Sequence, residues 1–262
     1  MYKRQPCPTG ETVSVGVVQS DQGSSSKHQQ STVELFQQYC ALSLQAGEVD
    51  LLVWPETAVP GLPLSSLQRV ARALDTTILT GAFHQQQDRV ENAVFLVQPY
   101  ACQKVYVKEH LVPMGEYLPY GGLFDWVYPD LVCLSPGGPN QAAIWGNHRL
   151  GSMICFDSTF PAIGRQQAGS GAELLAVVTN DSWFMDSIAI FQHHGHSVFR
   201  AVETGLTVVR SANAGFSSVI DPYGRTVAAL EPGKSGVLVQ RVVLSPSHTL
   251  YVQLGDVLPR CV

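Results

Sequence analysis

Short valine- and leucine-rich runs, each cut off by proline, glycine or a polar cluster and interleaved with amphipathic stretches, recur along the whole chain. Thr12 to Gln19 alternates through Val13, Val15 and Val17, the pattern of a strand in a buried sheet. From Ser31 or Thr32 a helix is predicted, with Leu35, Phe36, Tyr39 and Leu42 on one face and Gly47 as its stop. Val49 to Trp54 reads as a second strand, which Pro55 terminates because proline cannot donate to a ladder. A helix over Leu64 to Leu74, strands over Thr76 to Ala82 and Val90 to Gln98, and a strand ending at Lys108 follow. Further on come a hairpin of Gln141 to Trp145 and His148 to Ile154 through Gly146-Asn147, and a strand from Ala172 to Thr179. A helix from Ile188 to Glu203, closed by Gly205, precedes strands at Thr207 to Ser211, Ser217 to Ile220, Thr226 to Leu230 and Gly236 to Val243. This rhythm predicts an α/β fold, with helices laid on the outside of sheet rather than packed as a bundle.

Composition narrows the function classes. With 262 residues, 45% of them hydrophobic, the chain can bury one large core. A net charge of -5 without a basic block leaves no electrostatic footprint for nucleic acid. The six cysteines lack C-x-x-C spacing, and His193, His194 and His196 lack an H-E-x-x-H pattern, so neither a metal nor another cofactor is expected. No apolar run reaches the roughly 18 to 20 residues that span a bilayer. Residues 1–11, opening with Met1-Tyr2-Lys3-Arg4-Gln5, fit no element and read as a scar or disordered lead. One domain is expected over residues 12–245, and residues 246–262 read as a tail that could lead to a missing membrane helix.

Three strand ends carry chemistry. Cys155 closes the apolar run Gly151-Ser152-Met153-Ile154, Glu56 follows the Trp54-Pro55 break, and Lys108 ends its own strand. Loops at the carboxyl ends of α/β strands can gather side chains from several strands, so these three are candidates for one site. Each also has a plain structural alternative: a small core cysteine, a capping glutamate, a solvated lysine. The segment from Lys108 to Tyr120, punctuated by Pro113, Gly115 and Pro119, must be irregular, and Glu116 within it could pair with Lys108.

In this chain order the three residues resemble the Glu-Lys-Cys triad of the nitrilase superfamily. The surrounding words Trp54-Pro55-Glu56-Thr57-Ala58, Lys108-Glu109-His110-Leu111-Val112-Pro113-Met114-Gly115-Glu116-Tyr117-Leu118-Pro119, Ile154-Cys155-Phe156-Asp157 and Asn180-Asp181-Ser182-Trp183-Phe184 are similar to the nitrilase-type domain of the apolipoprotein N-acyltransferases. Gln192-His193, Arg200-Ala201-Val202-Glu203 and Arg210-Ser211-Ala212-Asn213-Ala214-Gly215 extend the likeness over about residues 12 to 245. The resemblance implies a single-domain α-β-β-α sandwich. It implies Cys155 as nucleophile, Glu56 as base and Lys108 with the Phe156 N–H as oxyanion donors, supported by Glu116 and Asp157. Asp157 departs from the glutamate usual at that position and is one methylene shorter.

On this resemblance the acyl donor is a phospholipid and the acceptor an apolipoprotein amine. Met114, Tyr117, Leu118, Trp126 and Trp183 are expected to meet substrate, although the apolar stretch from Met114 to Trp126 could equally be packing beneath a long loop. The implied location is the bacterial inner membrane, with this domain facing the periplasm and the chain a fragment lacking the membrane helices. Two readings compete: an amidohydrolase with the same three residues and water as acceptor, and a silent binding module.

Overall fold

The computed structural model describes residues 10–21, 31–120, 133–184, 187–247 and 249–256. Twelve strands among them form two six-stranded sheets packed face to face. Strands β1 (Thr12–Gln19), β2 (Leu51–Val53), β3 (Thr77–Gln86), β4 (Arg89–Val97), β5 (Cys102–Val107) and β12 (Gly236–Val243) make the first, in the order β12-β1-β2-β3-β4-β5. The second contains β6 (Ala143–Trp145), β7 (His148–Ile154), β8 (Leu174–Asn180), β9 (Thr207–Asn213), β10 (Ser218–Ile220) and β11 (Thr226–Ala229), in the order β11-β10-β9-β8-β7-β6. Each sheet has a parallel centre, β1-β2-β3 in one and β7-β8-β9 in the other, flanked by antiparallel strands. Helices α1 (Thr32–Gln45) and α2 (Leu64–Leu74) serve the first sheet. Helices α3 (Pro161–Gly169) and α4 (Ala189–Thr204) serve the second. This is the expected single-domain α-β-β-α sandwich.

The period-two pattern of the strands builds both layers at once. In β2, Leu51 and Val53 join the core shared by the sheets, whereas Leu52 and the adjoining Trp54 join the core beneath α1 and α2. All four are fully buried, and side chains of this kind contribute about 1.5–3 kcal/mol each on burial. Trp54 stacks on Tyr39 of α1 at 4.9 Å and donates its indole N–H to Ser43 at 3.0 Å. The chain is thus clamped one residue before Pro55 and two before Glu56. Helix α1 begins as expected, with a reciprocal capping box between Ser31 and Glu34.

Some boundaries differ from the sequence expectation. Strand β2 is shorter than Val49 to Trp54, although the residues on either side of it still bond the neighbouring strands: the Asp50 N–H donates to the Ser14 carbonyl at 2.9 Å and the Trp54 N–H to the Leu79 carbonyl at 2.8 Å. Strand β3 runs beyond Ala82 to Gln86, since its hairpin pairing with β4 continues to Gln86 opposite Arg89 after the apolar pattern has ended. The stretch read as a tail contains a short helix, α5 (Leu250–Leu254). It is tied to α3 and α4 by Arg165 donating to Tyr251 and Val252 carbonyls and by Thr249 donating to the Glu203 carbonyl. No helix among the described residues is long and apolar enough to cross a membrane.

Candidate active site

Glu56, Lys108 and Cys155 come from the ends of β2, β5 and β7 and line one cavity of about 690 Å³. Glu56 is almost fully buried, at 5% exposure. Its Oε1 accepts from Asn92 Nδ2 of β4 at 2.7 Å, and its Oε2 accepts from the Asn180 N–H at the end of β8 at 2.8 Å. One carboxylate therefore bridges the two sheets. Gly81 of β3 makes room for it: a Cβ there would lie 2.7 Å from the Glu56 Cα.

Lys108 is 1% exposed, and its ammonium donates to Glu116 Oε1 at 2.7 Å and lies 3.5 Å from Glu56 Oε1. Burial works against the ammonium. The charges of Glu56, Cys155 and Glu116 together outweigh it and hold its pKa above the ordinary lysine value. Glu116 is fixed in turn, because its Oε2 accepts the Val112 N–H at 2.9 Å and closes the turn that carries it. The expected Lys108–Glu116 pair is present.

Cys155 opens a 3-10 turn, Cys155–Thr159, immediately after β7 and has φ of 48°. A left-handed conformation on a non-glycine residue costs about 1–3 kcal/mol and persists only when surrounding bonds over-determine it. Here they do. The Cys155 carbonyl accepts from Ser158 Oγ at 2.7 Å and stands 3.1 Å from His193 Nε2 of α4. Arg200 of the same helix donates to the Ser158 carbonyl at 3.1 Å. Cys155 keeps part of its surface open, yet burial pushes its thiol up to about 12. The Glu56 and Asp181 carboxylates push the same way, against Lys108 and a hydrogen bond from Thr179.

Asp157 is fully buried despite its shorter side chain, and it accepts from Tyr106 Oη at 2.8 Å, from the Glu109 N–H at 3.2 Å and from the His110 N–H at 2.8 Å. It thereby ties the cysteine turn to the segment that leaves Lys108. Burial raises its carboxyl to about 6, opposed by those hydrogen bonds and the Lys108 charge.

Phe156 and Trp183 line the cavity with Phe83, Val90, Val112, Leu134 and Phe184, so its walls are largely apolar. Met114, Tyr117 and Leu118 do not line it; the side chains that their loop presents there are Val112 and Glu116. Apolar composition does not fix direction in this segment, because the Val112–Glu116 turn, with Met114 at φ 61°, sets it. Trp126 lies outside the described residues, as do Leu123 and Phe124. Among the described residues no cluster of His, Cys, Asp or Glu could hold a metal ion.

Sequence reasoning missed Asn92 and Tyr106, and it quoted Asp181, His193 and Arg210 among the resembling motifs without giving them a role. Arg210 is fully buried on β9 and donates to Asp181 Oδ2 at 2.8 Å, while His193 Nδ1 stands 2.9 Å from Asp181 Oδ1. Burial would raise the Asp181 carboxyl, but Arg210 and His193 overcome this and hold it at about 2. A signal was available. Asn92 and Arg210 both interrupt apolar strands, and a polar group there demands a buried partner.

A family model described as carbon-nitrogen hydrolase matches residues 14–247. The chain belongs to this family. Carbon-nitrogen hydrolases are enzymes, and the similar proteins of known sequence include apolipoprotein N-acyltransferases. That of Geobacter metallireducens is 34% identical over 247 residues, 87% of this chain and 47% of its own length. That of Haemophilus ducreyi is 33% identical over 246 residues, 87% of this chain and 48% of its own. The chain spans about half the length of the curated relatives it matches. Among solved structures, a carbon-nitrogen hydrolase from Helicobacter pylori superposes with a TM-score of 0.72 at 16% identity, covering 88% of this chain and 89% of that one. An amidase from Nesterenkonia sp. gives 0.67 at 20% identity, with 97% and 96% covered. At these identities the two structures speak for the fold.

Proposed function

We propose that this domain transfers an acyl chain from a phospholipid, through a thioester on Cys155, to the amino-terminal amine of an apolipoprotein. The observation that carries the reading is the meeting of a carboxylate, an ammonium and a thiol, from three strand ends, in one largely apolar cavity. The similarity to apolipoprotein N-acyltransferases supplies the substrate class.

The site holds a neutral thiol beside the Glu56 carboxylate. The Glu56 charge disfavours the thiolate only while Glu56 is ionised. Moving the proton from sulfur to Glu56 removes that repulsion and leaves the new thiolate facing Lys108, with the net charge of the site unchanged. The sulfur attacks the ester carbonyl, and Lys108 with the Phe156 N–H receives the tetrahedral oxyanion. Collapse expels the lysophospholipid alkoxide, which takes the proton back from Glu56. The incoming amine then gives its proton to Glu56, attacks the thioester, and the amide leaves as the thiol is re-formed.

Glu116 orients Lys108, Asp157 braces the turn, and Phe156 and Trp183 contact the acyl chain. With these partners, the domain works at the bacterial inner membrane, facing the periplasm. Mixing the chain with phospholipid vesicles and measuring its intact mass tests the reading. An acyl adduct that maps to Cys155 and disappears with an amine acceptor is expected. Release of ammonia from simple amides, without any adduct from phospholipid, would replace it with the amidohydrolase reading.

A further inference from the structure

Behind the cysteine lies a set of buried groups that the mechanism above leaves unused. The Cys155 carbonyl oxygen is the target of two side chains, Ser158 Oγ at 2.7 Å and His193 Nε2 at 3.1 Å. Ser158 spends its single proton on that carbonyl and therefore faces His193 Nε2, 3.3 Å away, as an acceptor. Both neighbours of Nε2 are then acceptors, so Nε2 carries a hydrogen. The other ring nitrogen lies 2.9 Å from Asp181 Oδ1 and 3.0 Å from Arg210 Nη2, and it can donate to the first or accept from the second but not both; Asp181 and Arg210 are themselves paired at 2.8 Å, all at buried positions. This much polar bonding is directed at one main-chain oxygen.

That oxygen belongs to the same peptide group as the Phe156 N–H. No peptide among the described residues is cis, so the carbonyl and the N–H of this unit point in opposite directions. Donors on the oxygen draw electron density from the nitrogen and make its hydrogen a stronger donor, the usual cooperativity of chained hydrogen bonds in a low-dielectric interior. They also pin the plane of the peptide, which fixes the rotation of the chain after the Cys155 Cα.

We infer that His193 and Ser158 are positioning residues for the oxyanion site: by donating to the Cys155 carbonyl they orient and polarise the Cys155–Phe156 peptide, strengthening the Phe156 N–H toward the tetrahedral intermediate. Asp181 and Arg210 hold the His193 ring for that task. The inference rests on the proposed role of the Phe156 N–H.

Two reactions of the same sulfur separate this role from a purely structural one. Acylation by p-nitrophenyl butyrate develops an oxyanion: the S–C bond forms, p-nitrophenolate leaves and the thiol proton passes to Glu56. Alkylation by iodoacetamide at Cys155 develops none. The ratio of the two rate constants is measured for the wild-type chain, Ser158→Ala, His193→Ala and His193→Gln. His193→Ala is expected to lower the ratio on the order of tenfold, a fraction of the 10²–10³ lost with a whole oxyanion donor, and Ser158→Ala severalfold. His193→Gln, which restores a side-chain N–H, recovers part of the loss. Should His193→Ala fail to fold, Ser158→Ala and His193→Gln decide. Parallel losses in both reactions, with the ratio unchanged, would overturn the inference and leave these residues a structural role. A wild-type chain that alkylates at Cys155 but is never acylated there would instead remove the proposed chemistry, and the inference with it.

Discussion

Replacing Glu56 with glutamine should move two properties of Cys155 in opposite directions. After burial, the Glu56 charge is the largest influence holding the thiol up at about 12. At pH 9 a thiol with that pKa is ionised in about one molecule in a thousand, and each unit by which the pKa falls raises the fraction tenfold. Glutamine is neutral, so Lys108 would act on the sulfur unopposed from that side. Alkylation of Cys155 by iodoacetamide at pH 9 should accelerate by about an order of magnitude for each unit by which the thiol pKa falls. Turnover should instead fall by about 10²–10⁴, or roughly 3–5 kcal/mol on the barrier, because no group remains to take the proton in the transition state.

Fold integrity needs a separate check. A carboxamide offers one oxygen where Glu56 uses two, so either Asn92 Nδ2 or the Asn180 N–H would face an NH₂ group, at a cost of about 1–3 kcal/mol. The labelling is read by peptide mapping, since the chain has six cysteines. Phospholipid acylation is read by intact mass, with Cys155→Ala as the blank. A folded Glu56→Gln chain that labels no faster than wild type would refute the placement of the Glu56 charge at the sulfur. One that acylates at the normal rate would refute Glu56 as the base.

Lys108→Met should slow acylation by on the order of a hundredfold or more, and, unlike Glu56→Gln, it should also slow alkylation. Equal alkylation rates in the variant and wild type would argue against a thiolate partner. Gly81→Ala places a Cβ 2.7 Å from the Glu56 Cα, and overpacking of that kind costs about 1–3 kcal/mol. Calorimetry should show a lower melting temperature, and the acylation rate should drop with it; unchanged melting would mean that the two strands can separate freely. Asp181 gives a pH signature. Its folded pKa, about 2, lies below the ordinary 3.8, so its contribution to stability is complete above the ordinary value and is lost as pH falls through about 2. Arg210→Met removes the main force lowering that pKa, and circular dichroism during acid titration should show unfolding at higher pH than in wild type. An unchanged acid midpoint would count against the pair.

Local sequence determined the elements and the chemistry they end on. Alternation in Thr12–Gln19 and Leu51–Val53, the breaks at Pro55 and Gly205, and the arrival of Glu56, Lys108 and Cys155 at strand ends are all short-range properties, and short-range patterns encode periodicity and termination well. The resemblance to nitrilases added the pairing of strands into two sheets, which periodicity alone does not specify. Tertiary structure alone decided which polar groups meet. Asn92 reaches Glu56 across 36 residues and Asn180 reaches it across 124, while His193 and Ser158 converge on the Cys155 carbonyl from a helix and a turn. Those contacts depend on how strands neighbour one another and how the sheets face, to which no local window has access. The loop from Lys108 to Tyr120 shows the same limit: its apolar residues were legible, but their direction was set by Glu116 bonding to Val112 and Lys108, and so Val112 faces the cavity where Met114, Tyr117 and Leu118 do not.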